Sequence, residues 1–223
     1  MMAYIFVFIL QLKKYIFYIK QNFKDVISPD EQTVIFAATR HHVEYIQNLL
    51  EMANIPATFI FSNLDSAARK INVAKFKEKI TNVLVVTDLA ARGIDIPMLD
   101  NVINYHFPAK SKLFVHRVGR VARAGRQGTA YSFVGLDEIP YFIDLQLFLG
   151  GTTDVIPLNP DANLDWHRRI GKVPASVGEE YNENIRVWYN SNVDLQKIKK
   201  TAQNGYKQYL KSRLDLFDLL KFK

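Results

Sequence analysis

Short apolar runs alternate along this chain with segments whose apolar residues recur every three or four positions. The runs at residues 33–37, 58–61 and 83–86 are rich in valine, isoleucine and phenylalanine, and each predicts a buried strand. Helical spacing predicts a helix over residues 41–52 and another that begins after Asp65, a preferred N-cap residue. Because strands that alternate with helices favour a parallel sheet, the pattern predicts an α/β domain.

The same alternation continues beyond the third strand. We predict strands over residues 102–105 and 130–134, a helix that begins near Ser111, and a further helix over residues 139–149. Parallel sheets bind their ligands at the carboxyl ends of the strands. A binding loop is therefore expected directly after the strand at residues 83–86.

The pattern changes after residue 157. Prolines, asparagines and glycines predict irregular structure up to residue 178, and helical spacing returns after it, weakened by about 1 kcal/mol at Gly205. We therefore divide the chain into a domain over residues 1–157 and an irregular, then helical, basic extension over residues 158–223.

The first nineteen residues are strongly apolar, with Gln11, Lys13 and Lys14 as interruptions. Ten apolar residues are too few to span a bilayer, and no basic region or cleavage site marks a signal peptide. We predict that residues 1–27 form a leading helix, which is amphipathic and buried against the domain. A membrane anchor over residues 1–19 is the weaker alternative.

The composition limits the classes of partner. Hydrophobic residues make up 48% of the 223, which supports a full core, and the net charge of +7 favours an anionic partner such as nucleic acid. Residues 193–223 hold eight Lys or Arg and three Asp, so most of the excess charge lies there. Cysteine is absent, which excludes disulfides and suits a reducing intracellular compartment.

Two polar runs stand out. Residues 87–97, Thr-Asp-Leu-Ala-Ala-Arg-Gly-Ile-Asp-Ile-Pro, follow a predicted buried strand directly. Residues 116–125, His-Arg-Val-Gly-Arg-Val-Ala-Arg-Ala-Gly, carry an arginine at every third position. The guanidinium fork suits phosphate oxygens, and glycine lets a backbone approach a ligand closely. A solvated basic helix face would explain the second run alone but not the pair.

Together these runs resemble motifs V and VI of the DEAD-box RNA helicases, and residues 36–40 resemble motif IV. A histidine at position 116 favours DEAD-box over DEAH proteins. The resemblance covers about residues 30–157 and implies a RecA-like, doubly wound, mostly parallel sheet. By this resemblance the chain corresponds to the second of two RecA-like domains, which close over RNA and over ATP with Mg²⁺. The Mg²⁺ ligands are expected on the first domain.

The resemblance also implies roles for single residues. The ATP site would comprise Asp95, as the ligand of the ribose hydroxyls, and the catalytic arginine fingers Arg120 and Arg123. RNA would be contacted by Arg40, Arg69, Thr87 and Gly93. Coupling to the first domain would involve Arg92, His116 and Arg117. Two departures from the family pattern are Ser66, where a glutamine is usual, and Ala122, where a glycine is usual.

Residues 63–71, 137–141 and 171–177 further resemble the nucleolar branch of the family, which acts in assembly of the large ribosomal subunit. That likeness implies pre-ribosomal RNA and pre-ribosomal particle proteins as partners, and a location in the nucleolus. No membrane partner is expected.

Neither a Gly-x-x-x-x-Gly-Lys-Ser/Thr phosphate loop nor an Asp-Glu-Ala-Asp sequence occurs in the 223 residues. We therefore expect the helicase domain to be inactive without a first domain. The alternative is a non-enzymatic RecA-like module that binds RNA or a ribosomal particle. Asp95, Arg120 and Arg123 favour the enzyme, because a binding module needs no ligands for ribose or γ-phosphate.

Overall fold

Seven parallel strands form one sheet, in the order β3-β4-β2-β5-β6-β1-β7. The computed structural model describes residues 3–10, 27–121, 128–150, 168–172 and 186–213. The elements are β1 (Ala3–Leu10), β2 (Thr33–Ala37), α1 (Arg40–Met52), β3 (Ala57–Ile60), α2 (Ser66–Lys77), β4 (Val83–Thr87), α3 (Asp88–Ala91), β5 (Asn101–Asn104), α4 (Ser111–Val118), β6 (Gly128–Gly135), α5 (Ile139–Phe148), β7 (Arg168–Lys172) and α6 (Val193–Ser212).

The sheet is covered by helices on both faces, which explains the continuous apolar runs of its central strands. All five residues of β2 and of β4 are buried. Along β4, Val83 and Val85 belong to the core under α1 and α6, whereas Leu84 and Val86 belong to the core on the opposite face, under α2. The predicted α/β class and RecA-like sheet are confirmed.

The predicted cap at Asp65 is confirmed, and a second helix begins at a cap that the sequence analysis did not name. The Asp65 carboxylate accepts hydrogen bonds from the backbone N–H groups of Ala67 and Ala68, so α2 begins where the sequence indicated. The Thr39 side chain caps α1 in the same way, accepting from the N–H of His42. Each cap satisfies donors that a helix leaves unpaired in its first turn.

The leading helix predicted over residues 1–27 is wrong at Ala3–Leu10, which form strand β1. This strand lies between β6 and β7 and is parallel to both, with Ile5 opposite Ala130. Its central Val7 is only 4% exposed. A short continuous apolar run has no periodicity that separates a buried strand from a buried helix. The segment is a strand because it pairs with β6 and β7 in the folded chain. Residues 11–26 lie outside the described residues.

The irregular segment predicted up to residue 178 is also wrong in part, because Arg168–Lys172 form β7 at the edge of the sheet. It pairs with β1 alone, from Ile5 opposite Arg168 to Ile9 opposite Lys172. A short polar strand with a glycine carries little β pattern of its own. Its pairing with β1 could not be inferred once β1 was taken for a helix.

Helix α6 belongs to the same core as the central sheet. Leu195, Ala202 and Tyr206, spaced for one helical face, are buried, and the first two pack in the core with α1. The helix runs unbroken through Gly205, where an added Cβ would lie 3.1 Å from the His41 ring. Glycine there permits close packing onto α1, which offsets its low helix propensity.

A buried carboxylate fixes the second half of α6 to the domain. Glu138, which is fully buried, accepts hydrogen bonds from the Tyr206 hydroxyl at 2.8 Å and from the N–H of Phe107 at 3.1 Å. Arg213, directly after the helix, donates to the Phe107 carbonyl at 2.7 Å and lies 3.5 Å from Glu138. Burial is the largest cause that raises the pKa of Glu138.

None of the helices among the described residues has both the length and the hydropathy that crossing a bilayer requires.

Candidate nucleotide and RNA site

The site begins at the carboxyl end of β4, where the fold places binding loops. Thr87 ends this strand and caps α3, with its hydroxyl accepting from the N–H of Ala90 at 3.3 Å. Its side chain is buried, as the residue is 8% exposed. The hydroxyl is thus used inside the protein, and an RNA contact at this position would involve the backbone.

Arg117 lies beneath this loop and is 2% exposed. Its Nε and Nη2 donate to the two carboxylate oxygens of Asp88, at 2.7 and 2.6 Å. Its Nη1 donates to Asn104 Oδ1 and to the His106 carbonyl, both at 2.9 Å. The guanidinium also lies 4.9 Å from the centre of the Phe36 ring. Arg117 therefore joins α4 to the ends of three neighbouring strands and has no surface on which to contact another domain directly.

The chain after α3 turns at Gly93 and then exposes a carboxylate. Gly93 has φ +75°, a conformation that favours glycine, and an added Cβ would meet nothing within 4 Å, so the backbone angle alone selects the residue. Arg92 beside it is exposed. Two residues further on, the Asp95 side chain is 93% exposed and accepts from Lys77 Nζ at 2.7 Å.

The electrostatic surroundings keep the Asp95 carboxylate ionised. The hydrogen bond from Lys77 and the positive charge of Lys77 hold its pKa below the ordinary value, and the charge of Arg120 adds to this. Arg120 is half-buried, and its carbonyl accepts from the N–H of Leu99 at 3.2 Å. An open, ionised carboxylate with cations beside it can accept hydrogen bonds from the hydroxyls of a nucleotide ribose.

The two residues predicted to meet RNA phosphates differ in environment. Arg40 is exposed at the start of α1, directly after the cap Thr39. Arg69, in the first turn of α2, donates from Nη2 to the carbonyl of Ala90 at 2.6 Å, so part of its guanidinium already supports the loop after β4. The RNA contacts of both residues stay predictions.

Arg69 contacts α3 through the Ala90 carbonyl, and Asp95 contacts the end of α2 through Lys77. Thr87 is buried at the start of α3, and Arg120 acts on Asp95 through its charge. His116 is exposed on α4 nearby in sequence, whereas Arg117 is buried. The second predicted finger, Arg123, lies outside the described residues. Among the residues that the structure describes, no cluster of three His, Asp or Glu side chains could hold a metal ion.

Sequence reasoning missed two partners of the motif residues. Asp88 stands inside the first motif run, and its place directly after a strand was a signal that it binds a buried cation. Lys77 gave no signal, because eighteen residues separate it from Asp95 and a lysine in the last turn of a helix is ordinary.

The sequence matches a known family and several curated proteins. Residues 16–125 match the family described as the helicase conserved C-terminal domain. The chain is 50% identical to ATP-dependent RNA helicase DDX54 of Mus musculus over 200 residues, which is 88% of this chain and 22% of that protein. It is 44% identical to ATP-dependent RNA helicase DBP10 of Coccidioides immitis over 188 residues, 83% of this chain and 20% of that protein.

The fold is that of solved DEAD-box domains. The C-terminal domain of the DEAD-box protein Dbp5 superposes with a TM-score of 0.63 at 21% identity, covering 83% of this chain and 97% of that domain. The Escherichia coli DEAD-box protein SrmB, solved with the regulator of ribonuclease activity A, superposes with a TM-score of 0.63 at 23% identity. The superposition covers 78% of this chain and 93% of the SrmB chain.

Fold and site together define a RecA-like helicase C-terminal domain. The chain belongs to the DEAD-box RNA helicases, as the second of their two RecA-like domains. It spans about a fifth of the length of the curated relatives that it matches.

Proposed function

We propose that this domain is the C-terminal half of an ATP-dependent RNA helicase, in which RNA-stimulated ATP hydrolysis drives the remodelling of RNA duplexes or ribonucleoproteins. The observation that carries the proposal is the exposed carboxylate of Asp95 on the segment after α3, which accepts from Lys77 and whose pKa is lowered by Lys77 and further by the charge of Arg120. A module that only binds RNA needs no such acceptor. The identity with proteins named as ATP-dependent RNA helicases supports the same reaction.

In this proposal Asp95 accepts hydrogen bonds from the ribose hydroxyls of ATP. Arg120 and Arg123 act as arginine fingers that stabilise negative charge developing on the transferred phosphoryl group. Mg²⁺ neutralises phosphate charge when bound, and its ligands belong to the first RecA-like domain. The residues of this chain contribute binding, orientation and charge stabilisation, and they require the first domain to complete the site.

RNA would be held along its backbone and not by its bases. Four groups suit phosphate oxygens: the exposed Arg40, the guanidinium of Arg69, and the backbone at Thr87 and Gly93. Contacts of this kind to the phosphate backbone do not distinguish one base from another. Arg92 and His116 are exposed and would face the first domain. Arg117 would contribute to coupling indirectly, because its bonds to Asp88 join α4, which carries His116, to the start of α3, which precedes Arg92.

The cellular role follows from the resemblance to the nucleolar branch. We propose pre-ribosomal RNA as the substrate, pre-ribosomal particle proteins as partners, and the nucleolus as the location. The identities with DDX54 and DBP10 support that branch.

The division of the sequence at residue 157 also stays a proposal. It does not separate two structural units at α6, because this helix packs in the core of the domain.

The role of Arg120 is tested by Arg120→Ala in the chain joined to the first domain of a curated relative. An arginine finger is worth roughly 10³–10⁵ in turnover, so we expect ATP hydrolysis to fall by that order while RNA affinity is largely retained. Ala122→Gly, which restores the usual family residue, is the mild control. Near-normal turnover with lost RNA binding would show that Arg120 holds RNA instead.

A further inference from the structure

Helix α2 holds the loop after β4 at two points. Near its start, Arg69 Nη2 donates to the Ala90 carbonyl at 2.6 Å. At its last residue, Lys77 Nζ donates to Asp95 Oδ2 at 2.7 Å. The two basic residues lie eight positions apart, which is about 12 Å along a helix. One rigid element therefore spans the segment from residue 90 to residue 95.

Among the residues that the structure describes, Lys77 makes the side-chain hydrogen bond that fixes the Asp95 carboxylate. The Asp95 side chain is 93% exposed, and an exposed side chain moves among its rotamers unless a partner orders it. Arg120 acts on the carboxylate through its charge, whereas Lys77 makes the direct hydrogen bond. Oδ2 is the oxygen that Lys77 engages, and a carboxylate offers about four acceptor positions in all, so the contact leaves acceptors for another ligand.

We propose that Lys77 is a positioning residue for ribose recognition, which orients the Asp95 carboxylate so that its remaining acceptor positions face the ribose hydroxyls of ATP. This proposal rests on the proposed role of Asp95 as the ribose ligand. Lys77 itself touches neither the phosphates nor the reacting atoms. Its effect therefore lies in how strongly the enzyme distinguishes a ribose from a deoxyribose, not in the chemical step.

The ordinary explanation of Lys77 is that a cation in the last turn of a helix interacts favourably with the helix dipole. Lys75 provides the matched control, because it is exposed and lies in the same last turn. A dipole effect would be shared by both lysines. The bond to Asp95 belongs to Lys77.

The experiment uses the chain joined to the first RecA-like domain of its mouse relative, with kcat and KM measured for ATP, 2′-deoxy-ATP and 3′-deoxy-ATP in saturating RNA. The variants are Lys77→Met, Lys77→Arg, Lys75→Met and Asp95→Ala. We expect Lys77→Met to reduce the preference for ATP over the deoxy analogues by roughly two- to fivefold, the range for an exposed ion pair, through KM and not kcat. Lys77→Arg should restore the preference, and Lys75→Met should leave it unchanged.

Three results would overturn the inference, and they are distinguishable. If Asp95→Ala abolishes the preference for ribose while Lys77→Met behaves as Lys75→Met does, the role of Asp95 stands and that of Lys77 is wrong. If Asp95→Ala keeps the preference, the assignment of Asp95 as ribose ligand fails and the role of Lys77 fails with it. A loss of kcat that is equal for all three nucleotides would show that Lys77 is structural.

Discussion

The arginines of residues 116–125 share a spacing of three residues but not an environment. Arg117 is buried and its guanidinium makes four hydrogen bonds, to Asp88, Asn104 and His106, whereas Arg120 is half-buried beside Asp95. The sequence indicated guanidinium groups suited to phosphate. It could not show that Arg117 is a buried structural arginine, because the carboxylate of Asp88 that binds it lies twenty-nine residues away in the sequence.

The buried ion pair leads to a prediction about stability. Arg117→Met leaves the Asp88 carboxylate, which is 20% exposed, without its bidentate partner. Breaking a buried ion pair costs about 3–5 kcal/mol, and the partial exposure of Asp88 favours the lower end. Urea unfolding of the chain should therefore show a loss of about 3 kcal/mol.

The control for this measurement is Arg92→Met, because Arg92 is exposed and lies in the same loop region. Substitutions at such surface positions usually change stability by less than about 0.5 kcal/mol. An Arg117→Met variant as stable as Arg92→Met would contradict the structural role given to Arg117.

At the scale of elements, the pattern along the chain predicted what could be decided locally. Helix α1 was predicted from its apolar face, and α2 from an apolar face together with the cap residue Asp65. Strand β1 was missed because its identity depends on β6 and β7, more than a hundred residues away. The helix α6 was predicted, but its contact with α1 at Gly205 depends on a close approach that no local pattern contains.

The packing of α6 changes how its charge should be tested. Deleting residues 193–223 would remove Leu195, Ala202 and Tyr206 from the core, so a loss of RNA binding could reflect unfolding. Lys207 and Lys211 are exposed on the same helix, and their replacement leaves the packed face intact. We expect Lys207→Gln with Lys211→Gln to weaken RNA binding for all sequences alike, because lysines contact the phosphate backbone.

The measurement is the dependence of RNA affinity on salt. Each phosphate contact contributes a slope of about −0.7 on single strands, so losing two contacts should flatten the log–log slope by about 1.4. Lys75→Gln with Lys79→Gln removes the same charge from an exposed region of another element and is the control. If both pairs change the slope equally, or neither does, α6 does not contact RNA.

At the scale of the whole molecule, the sheet, the loop region of Thr87–Asp95 and α6 pack together, and the proposed function assigns half of a nucleotide site to them. The class of fold was predictable because the α/β alternation is regular, and the family was predictable because both motif runs are long. The contacts of Lys77 with Asp95 and of Tyr206 with Glu138 were not predictable from the sequence, because only the tertiary fold brings these residues together. If Asp95 and Arg120 act on ATP as proposed, a second domain is needed to supply the phosphate loop and the Mg²⁺ ligands.

The most direct test of this account is RNA-stimulated phosphate release, measured for the chain alone and for the chain joined to the first RecA-like domain of its mouse relative. We predict no release above background for the chain alone, with or without RNA. The joined protein should hydrolyse ATP in an RNA-dependent manner, and Asp95→Ala should weaken its use of ATP. Hydrolysis by the chain alone, or a joined protein that binds RNA but never hydrolyses ATP, would contradict the assignment of this domain as half of a helicase motor.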